Sequence, residues 1–313
     1  MASEGAKSFI RFRVRPLIAG MSARMRKTLL VAVLAGLAVL FVFPIALTLT
    51  QSLMSENEIT MNLAPVSAEG SSRSLDPRAD SDYVRLKWIP DRVTLSQFYY
   101  VLVKQPQFLF MFWNSVILTV PIIAGQIVVS ALAGYAFSQL RFRMREPLFF
   151  IYIVTMLMPF QVTLVPNFII ADRLGLLNSY LAIIFPGIFG AFGVFLLRQF
   201  MTYIPYAYVE AARIDGCNQL QIFLRIVMPL CKPGIAALAM LLFIDNWNMV
   251  EQPLIFLQDA TKQPLSVYLS VIGEGERGIA FAACSIYMMP MILMMLYAEN
   301  HLVEGIQLSG IKG

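Results

Sequence analysis

The longest charge-free stretches of the sequence set the strongest limit on what this chain can fold into. Five stretches contain no Asp, Glu, Lys or Arg, and a sixth contains only Asp245 and Glu251. In chain order they are 28–55, 105–140, 147–171, 174–197, 233–257 and 278–298. A helix needs about 20 apolar residues to cross a bilayer, since it rises ~1.5 Å per residue over a hydrocarbon core of ~30 Å. The sequence therefore predicts an all-α, polytopic membrane protein with about six transmembrane helices.

The composition supports a membrane location and narrows the possible functions. Hydrophobic residues make up 58% of the chain and charged residues only 14%, against about 25% in soluble domains. The net charge of +5 forms no basic, aromatic-rich patch, so nucleic-acid binding is not expected. A single histidine, His301, cannot build a histidine-rich metal site or a Ser-His-Asp triad, and no metal site is expected. The three cysteines, interpreted as buried thiols, are Cys217, Cys231 and Cys284.

The first apolar stretch has two possible interpretations. Basic residues between Lys7 and Lys27 precede it, as they precede the apolar core of a secretory signal peptide. However, the apolar run exceeds the roughly 7–15 residues of such a core, and no clear A-x-A cleavage site follows it. We therefore predict a basic N-terminal arm at 1–27, a retained first transmembrane helix at 28–50 and an extracytoplasmic loop at 51–104.

Lysine and arginine are concentrated in alternate loops, which predicts the orientation of the chain. They occur in the N-terminal arm, after the second predicted helix, and between the fourth and fifth helices. The positive-inside rule places these segments in the cytoplasm, with both termini and the C-terminal tail at 300–313. The basic residues of the two inner loops are Arg141, Arg143, Arg145, Arg198, Arg213, Arg225 and Lys232. In the outer loop we expect the polar run at 67–82 to be flexible.

The stretch at 204–232 carries the most informative local pattern. Pro205 can open a short helix, and Gly216 can take a positive φ that ends it. A second, amphipathic helix is predicted from apolar residues at helical spacing, namely Leu220, Phe223, Leu224 and Val227. Proline then marks the entry to the fifth transmembrane helix. The pattern predicts two short inner helices joined at a glycine.

This stretch closely resembles the EAA loop of bacterial binding-protein-dependent ABC importer permeases. The matching residues are Glu210, Ala211, Ala212, Asp215, Gly216, Phe223, Ile226, Pro229, Leu230 and Pro233. The resemblance implies that the first short helix docks into a cleft of a cytoplasmic ATPase subunit. It also implies that the alanines allow close approach and that Glu210 meets a basic partner. Two departures are Cys217, where the family usually has alanine, and 206–209, where it often has acidic residues. The alternative, a merely solvated loop, does not account for the joint spacing.

The resemblance covers nearly the whole chain from Thr28 and is strongest to the carbohydrate-uptake branch, in the manner of the shorter maltose-type permease subunit. The segments that carry it include 114–115, 134–138, 158–159, 195–200, 247–248, 302–306 and 310–313. It implies the type I ABC importer transmembrane-domain fold, with a five-helix permease core at 105–299 that includes the coupling loop at 204–232. It also implies that the C-terminal tail enters the ATPase dimer.

The implied partners are a second permease subunit (a heterodimer), two ATPase subunits, an extracytoplasmic solute-binding protein, membrane lipid and a carbohydrate. The chain has no P-loop, because Ile311 stands where the lysine of the superficially similar C-terminal glycines would be. We therefore expect no catalysis and no cofactor in this chain, with ATP and Mg in the partner subunits. The expected location is the bacterial cytoplasmic (inner) membrane.

Polar residues in the predicted membrane helices are candidates for the substrate path. Asp245 lies within the fifth, where a carboxylate costs on the order of 3 kcal/mol, so it should face protein or water. Helical spacing puts Asn248 and Gln252 on its side, with Glu251 at the margin. This stripe can line the solute path, or it can be a clamp between helices that never contacts solute. Weaker candidates are Asn114, Gln126, Tyr135 and Gln161.

The outer segment at 258–277 precedes the last predicted helix and is rich in glycine. Its glycines Gly273 and Gly275, with Gly278 just beyond it, predict mobility. In maltose-type relatives the corresponding loop reaches into the solute-binding protein, and the resemblance implies the same contact here.

Other function classes fit the sequence less well. A membrane enzyme would need clustered carboxylates or histidines at one membrane face, and the sequence has none. An ion-coupled secondary transporter favours inverted repeats and would leave the docking loop unexplained. A permease of the same type for a solute other than sugar remains the nearest alternative.

Overall fold

The structure, a computed structural model, describes residues 22–63, 87–272 and 277–310, with side chains of the last helix described to Tyr297. Within these residues the chain is helical and contains no strand. The helices are α1 Ala23–Ser52, α2 Glu56–Leu63, α3 Ser96–Tyr99, α4 Pro106–Gln139, α5 Arg145–Met156, α6 Phe160–Arg173, α7 Leu181–Ile188, α8 Ala191–Thr202, α9 Tyr206–Ile214, α10 Gln219–Ile222, α11 Met228–Leu230, α12 Lys232–Trp247, α13 Glu251–Phe256, α14 Leu265–Val271 and α15 Arg277–Gly310.

Four helical segments are long and apolar enough to cross a membrane: Arg24–Ser52, Pro106–Gln139, Leu181–Thr202 and Arg277–Tyr297. Two bent helix pairs bring the number to six if each pair is one span. The prediction of an all-α polytopic fold with about six transmembrane helices is therefore confirmed.

The third predicted span is not one straight helix. Its two halves, Arg145–Met156 and Phe160–Arg173, are bent by 96° where Pro159 follows the first half. Proline cannot donate an amide hydrogen bond to the preceding turn, which explains the break at this position. The uninterrupted apolar composition of 147–171 does not reveal this bend.

The fifth predicted span also differs from the structure. Helix α12 ends at Trp247, and α13 begins only at Glu251, so residues 248–250 interrupt the predicted helix. At its inner end α12 meets the Gln219–Leu230 segment at an angle of 73°. Proline near the start of both α11 and α12 favours new helix starts there.

Helix α4 is the central helix of the bundle and packs against α8 and α12. The largest buried cluster joins these helices to the inner loop and includes Ala131, Leu197, Met201, Ile222 and Leu238. A small residue allows close packing here, because a Cβ on Gly134 would lie 3.1 Å from the backbone nitrogen of Arg198. The inner loop thus shares its core with the membrane helices.

The first outer segment is ordered where the structure describes it. Met54 and Ile59 are buried, and the backbone amide of Thr94 donates to the carbonyl of Leu53 over 2.9 Å. The Lys87 ammonium pairs with Asp91 and, at 3.2 Å, with Glu58. Both carboxylates hold the pKa of Lys87 above its ordinary value, and the hydrogen bond to Asp91 contributes more than the one to Glu58. The polar run at 67–82 lies outside the described residues.

Candidate functional site

Helix α9 is a short helix with a tight stop at its carboxyl end. Pro205 is its N-cap, and Gly216 takes a φ of +79°, which a residue with a Cβ rarely adopts. The amides of Gly216 and Cys217 donate to the carbonyls of Arg213 and Ala212, at 3.1 and 2.9 Å. The prediction of two short helices joined at a glycine is confirmed, and their location on the inner side of the membrane stays a prediction.

The structure divides the Glu-Ala-Ala motif between two faces of α9. Ala212 is 5% exposed and packs, with the fully buried Val209, into the core shared with α4 and α8. Glu210 and Ala211 face outward. Only one of the two alanines is therefore available to a partner, while the other holds α9 against its own chain.

The outward side of α9 forms a mixed apolar and acidic surface. We call it the coupling surface, and it consists of Tyr208, Glu210, Ala211, Ile214 and Asp215. Ile214 is 86% exposed and Tyr208 is more than half exposed. Large apolar side chains held at a surface beside a carboxylate are typical of a docking site for another protein.

The second inner helix buries only part of the face that its spacing predicts, namely Phe223 and Val227. Leu220 and Leu224 are 61% and 54% exposed, while Ile222, Phe223 and Val227 are buried. A wide, π-type turn occupies Phe223–Val227, so this part of the segment does not keep the regular α-helical spacing that the prediction assumes. Phe223 acts as an anchor, with its ring centre 5.2 Å from that of Tyr135. Pro229, which is exposed, lies in the first turn of α11.

Hydrogen bonds tie the inner loop and α8 to the end of α4. The Tyr135 hydroxyl donates to Gln219 Oε1 over 2.8 Å, and the Gln139 side-chain amide donates to the carbonyl of Met201 over 2.6 Å. The structure therefore places Tyr135, a candidate for the substrate path, at the anchor of the inner loop. These contacts connect α4 to the second inner helix through Gln219 and to α8 through Met201.

The residues of the predicted polar stripe line one cavity of about 570 Å³. They do not form a stripe on one helix, because α12 ends before Asn248 and Glu251 begins α13. The break turns the chain around the cavity. The carboxyl end of α12 and the amino end of α13 therefore both present polar groups to it. The lining residues are Phe160, Ile244, Asp245, Asn246, Asn248, Met249, Val250, Glu251 and Gln252.

The lining residues differ in how firmly they are held. Among the described residues no hydrogen bond or ion pair involves the exposed Asp245 carboxylate. The Asn248 amide donates to the carbonyl of Ile244 and accepts from the Tyr287 hydroxyl, each over 2.8 Å. Asn248 therefore joins α12 to α15, whereas Asp245 is available to a solute. Glu251 accepts a long, 3.4 Å hydrogen bond from Gln161, which brings α6 to the cavity.

Two other candidates lie away from this cavity. The buried Asn114 amide donates to the carbonyls of Thr261 and Gln263, at 2.7 and 3.1 Å, and accepts from Tyr180. It therefore joins α4 to the outer segment. Gln126 is buried among the glycines of the turn before α8. Their place in a substrate path stays a prediction.

The glycines of the outer segment have different positions. Gly273 and Gly275 lie outside the described residues. Gly278 is in the first turn of α15 and not in a loop, and a Cβ there would lie 2.5 Å from Gln97 Nε2. Close packing against the buried Gln97 explains this glycine, and the mobility of the segment before it stays a prediction. Earlier in this segment, hydrogen bonds from the hydroxyl and amide of Thr261 hold the pKa of Asp259 below its ordinary value.

Comparison with known proteins finds relatives that are named as components of transport systems. The family model of the binding-protein-dependent transport system inner membrane component matches residues 95–306. The arabinooligosaccharides transport system permease protein AraQ of Halalkalibacterium halodurans is 29% identical over 74% of this chain and 84% of its own length. The polygalacturonan/rhamnogalacturonan transport system permease protein YtcP of Bacillus subtilis is 33% identical, over 64% and 75%.

A relative with a different kind of solute is the sn-glycerol-3-phosphate transport system permease protein UgpE of Pectobacterium atrosepticum. It is 32% identical over 63% of this chain and 72% of its own length. Among solved structures, a chain of a bacterial ABC transporter involved in the import of the acidic polysaccharide alginate has a TM-score of 0.70 and 25% identity. That match covers 90% of this chain and 98% of the other.

Proposed function

The chain belongs to the family of binding-protein-dependent transport system inner membrane components, and from that premise we propose that it is one permease subunit of an ABC importer for a carbohydrate, specifically an oligosaccharide. The relatives named for arabinooligosaccharides and for polygalacturonan or rhamnogalacturonan support the carbohydrate. As a transport permease, the chain supplies a membrane path and not a catalytic site.

The observation that carries this function is the geometry of the coupling surface. Glu210 and Ala211 face outward while Ala212 and Val209 are buried, so α9 presents a fixed face to a partner. We assign this face to a cytoplasmic ATPase subunit, which binds ATP and Mg, so that this chain itself carries no cofactor. Closure of the ATPase pair then favours one of two permease states through α9.

The exposed apolar surface of α1 and the open polar cavity support the presence of further subunits. Helix α1 exposes apolar side chains along most of its length, which lipid or a second permease can cover. The polar cavity is open on one side, as expected if a second, different permease completes the path. We propose one copy of each permease, two ATPase subunits, an extracytoplasmic solute-binding protein and cytoplasmic termini.

The cavity favours an uncharged glycan over an anionic cargo. Its lining contains the two carboxylates Asp245 and Glu251 and no lysine or arginine. Carboxylates repel a nearby anion, so a sugar phosphate is the less favourable cargo. Glycerol phosphate remains the second candidate because of the UgpE relatives.

The experiment that tests this function is purification of the chain with its partners, followed by ATPase assays. We expect co-purification of an ATPase and stimulation of its turnover by the solute-binding protein loaded with a neutral oligosaccharide. Glycerol phosphate and uronate oligomers serve as matched cargo controls. A chain that purifies without any nucleotide-hydrolysing partner, yet transports solute, would refute the assignment.

A further inference from the structure

The loop between α4 and α5 forms a second open cavity, separate from the polar path. It has a volume of about 640 Å³ and is lined by Arg141, Phe142, Arg143, Met144, Arg145, Glu146 and Pro147. Three cations and one carboxylate therefore surround a single cavity. None of these residues has a role in the proposed transport function.

The carboxylate of this cavity is already neutralised, which leaves two arginines for another anion. Glu146 Oε2 accepts from Arg198 over 2.9 Å, and its Oε1 lies 2.8 Å from an Arg145 nitrogen. The Arg198 guanidinium is fixed further, 3.6 Å from the ring centre of Phe149. In the part of the chain that the structure describes, the exposed Arg143 side chain has no hydrogen bond or ion pair.

The apolar residues of the same loop indicate that this cavity lies at the membrane surface. Phe142 and Met144 alternate with the arginines and are exposed, and Met144 takes a left-handed φ of 72° that turns the chain into α5. Helix α5 then exposes Phe150 and Ile151. Apolar side chains at this level enter the acyl region, while arginine side chains extend to the headgroups.

We propose that the cavity at Arg141–Pro147 binds the phosphate of an anionic phospholipid of the inner leaflet, held by Arg141 and Arg143. Guanidinium groups bind phosphate oxygens with paired hydrogen bonds, and basic pockets at the inner membrane surface recognise such headgroups. The site rests on the proposed orientation, which places this loop in the cytoplasm.

The bound phosphate lies next to the coupling helix. The Arg141 guanidinium is 4.9 Å from the ring centre of Tyr206, the first residue of α9. The Tyr206 hydroxyl accepts from Arg213 over 3.0 Å on the same helix. A lipid that fixes Arg141 therefore also limits the movement of α9, so the lipid composition adjusts the coupling of transport to ATP hydrolysis.

Retained lipid tests the proposal directly. The assembled transporter is purified from membranes that contain phosphatidylglycerol and phosphatidylcholine, and native mass spectrometry counts each lipid on the complex. We expect preferential retention of phosphatidylglycerol, reduced about fivefold by Arg143→Gln and about fivefold again by adding Arg141→Gln, from roughly 1 kcal/mol per arginine. Arg143→Lys should keep part of the retention, because it keeps the charge but loses the paired hydrogen bonds.

The control is Lys104→Gln, which removes one exposed cation beside the opposite end of α4 and should leave retention unchanged. Equal retention of the two lipids by the wild-type complex, or equal loss in the control, would overturn the site. Displacement of the lipid by millimolar inorganic phosphate would assign the cavity to a soluble anion instead. If the arginine variants lose the ATPase subunit but retain as much phosphatidylglycerol as the wild type, the cavity is a protein contact instead. Lipid retention needs no transport, so its failure leaves the permease function untouched.

Discussion

Single residues in α9 separate the folding of the inner loop from its docking. Ala211 and Ala212 are neighbours of identical type, yet Ala211 is exposed and Ala212 is buried against the core. The same substitution at the two positions therefore has different consequences, and each position serves as the control for the other.

We expect Ala212→Leu to destabilise the chain by about 1–3 kcal/mol, because the added atoms overpack a filled core. Ala211→Leu should leave the unfolding temperature of the purified chain unchanged and weaken its association with the ATPase. Thermal unfolding in detergent and co-purification measure the two effects. Similar losses of stability in both variants would contradict the division of the motif.

Substitutions at Gly216 test whether the positive φ at the end of α9 contributes to the stability of the chain. At a φ of +79° a β-branched residue is strained, so Gly216→Val should cost about 1–2 kcal/mol. Gly216→Asn should cost less, because asparagine tolerates the left-handed region. No neighbour lies within 4 Å of a Cβ at this position, so any loss reflects the backbone and not a clash. Equal stability of the valine and asparagine variants would contradict this explanation.

In the cavity, Asp245→Asn and Asn248→Ala distinguish a solute contact from a helix clamp. The Asp245 carboxylate has no partner among the described residues, so Asp245→Asn should alter uptake kinetics while the complex assembles normally. Asn248→Ala removes the hydrogen bond to Tyr287 and should lower stability by about 1 kcal/mol. Unchanged uptake by Asp245→Asn would show that this carboxylate does not face the solute.

At the scale of elements, the Asn114 amide joins the outer segment to α4, beside the Ser115 hydroxyl that accepts from the amide of Leu265. Asn114 makes hydrogen bonds to Thr261, Gln263 and Tyr180, so Asn114→Leu leaves buried polar groups unsatisfied. We expect a loss of about 1–3 kcal/mol per unsatisfied group and faster hydrogen exchange of the amides of residues 260–263. Ser138→Ala, at the other end of α4, is the control, because its hydroxyl bonds only within the helix. Unchanged hydrogen exchange in Asn114→Leu would show that Asn114 does not hold the outer segment to α4.

The sequence predicts helices well where the physical signal is continuous. Charge-free length gave the six candidate spans, and Pro205 with Gly216 gave the bounds of α9. Breaks inside apolar stretches were missed, because 147–171 and 233–257 have the same hydropathy whether straight or bent. The buried face of the second inner helix was predicted only in part, because Phe223 and Val227 are buried whereas Leu220 and Leu224 are exposed. Proline at 159 was the available signal for the first break.

For the whole molecule, the inner loop and the membrane helices share one hydrophobic core. Val209 and Ala212 of α9 and Val227 of the second inner segment pack with Leu197 and Leu238 of the membrane helices. Because a packed core deforms little, a displacement of α9 moves α4, α8 and α12 together. The distant cavity is then reached through α12, whose carboxyl end forms its wall.

The most direct test of this account is ATP-driven uptake by the reconstituted complex carrying Glu210→Lys. The account predicts that charge reversal on the coupling surface releases the ATPase or leaves it hydrolysing ATP without uptake. Glu56→Lys on the exposed side of α2 is the matched control and should transport normally. A Glu210→Lys complex that assembles and imports solute at the wild-type rate would contradict the central claim that α9 transmits the ATPase closure.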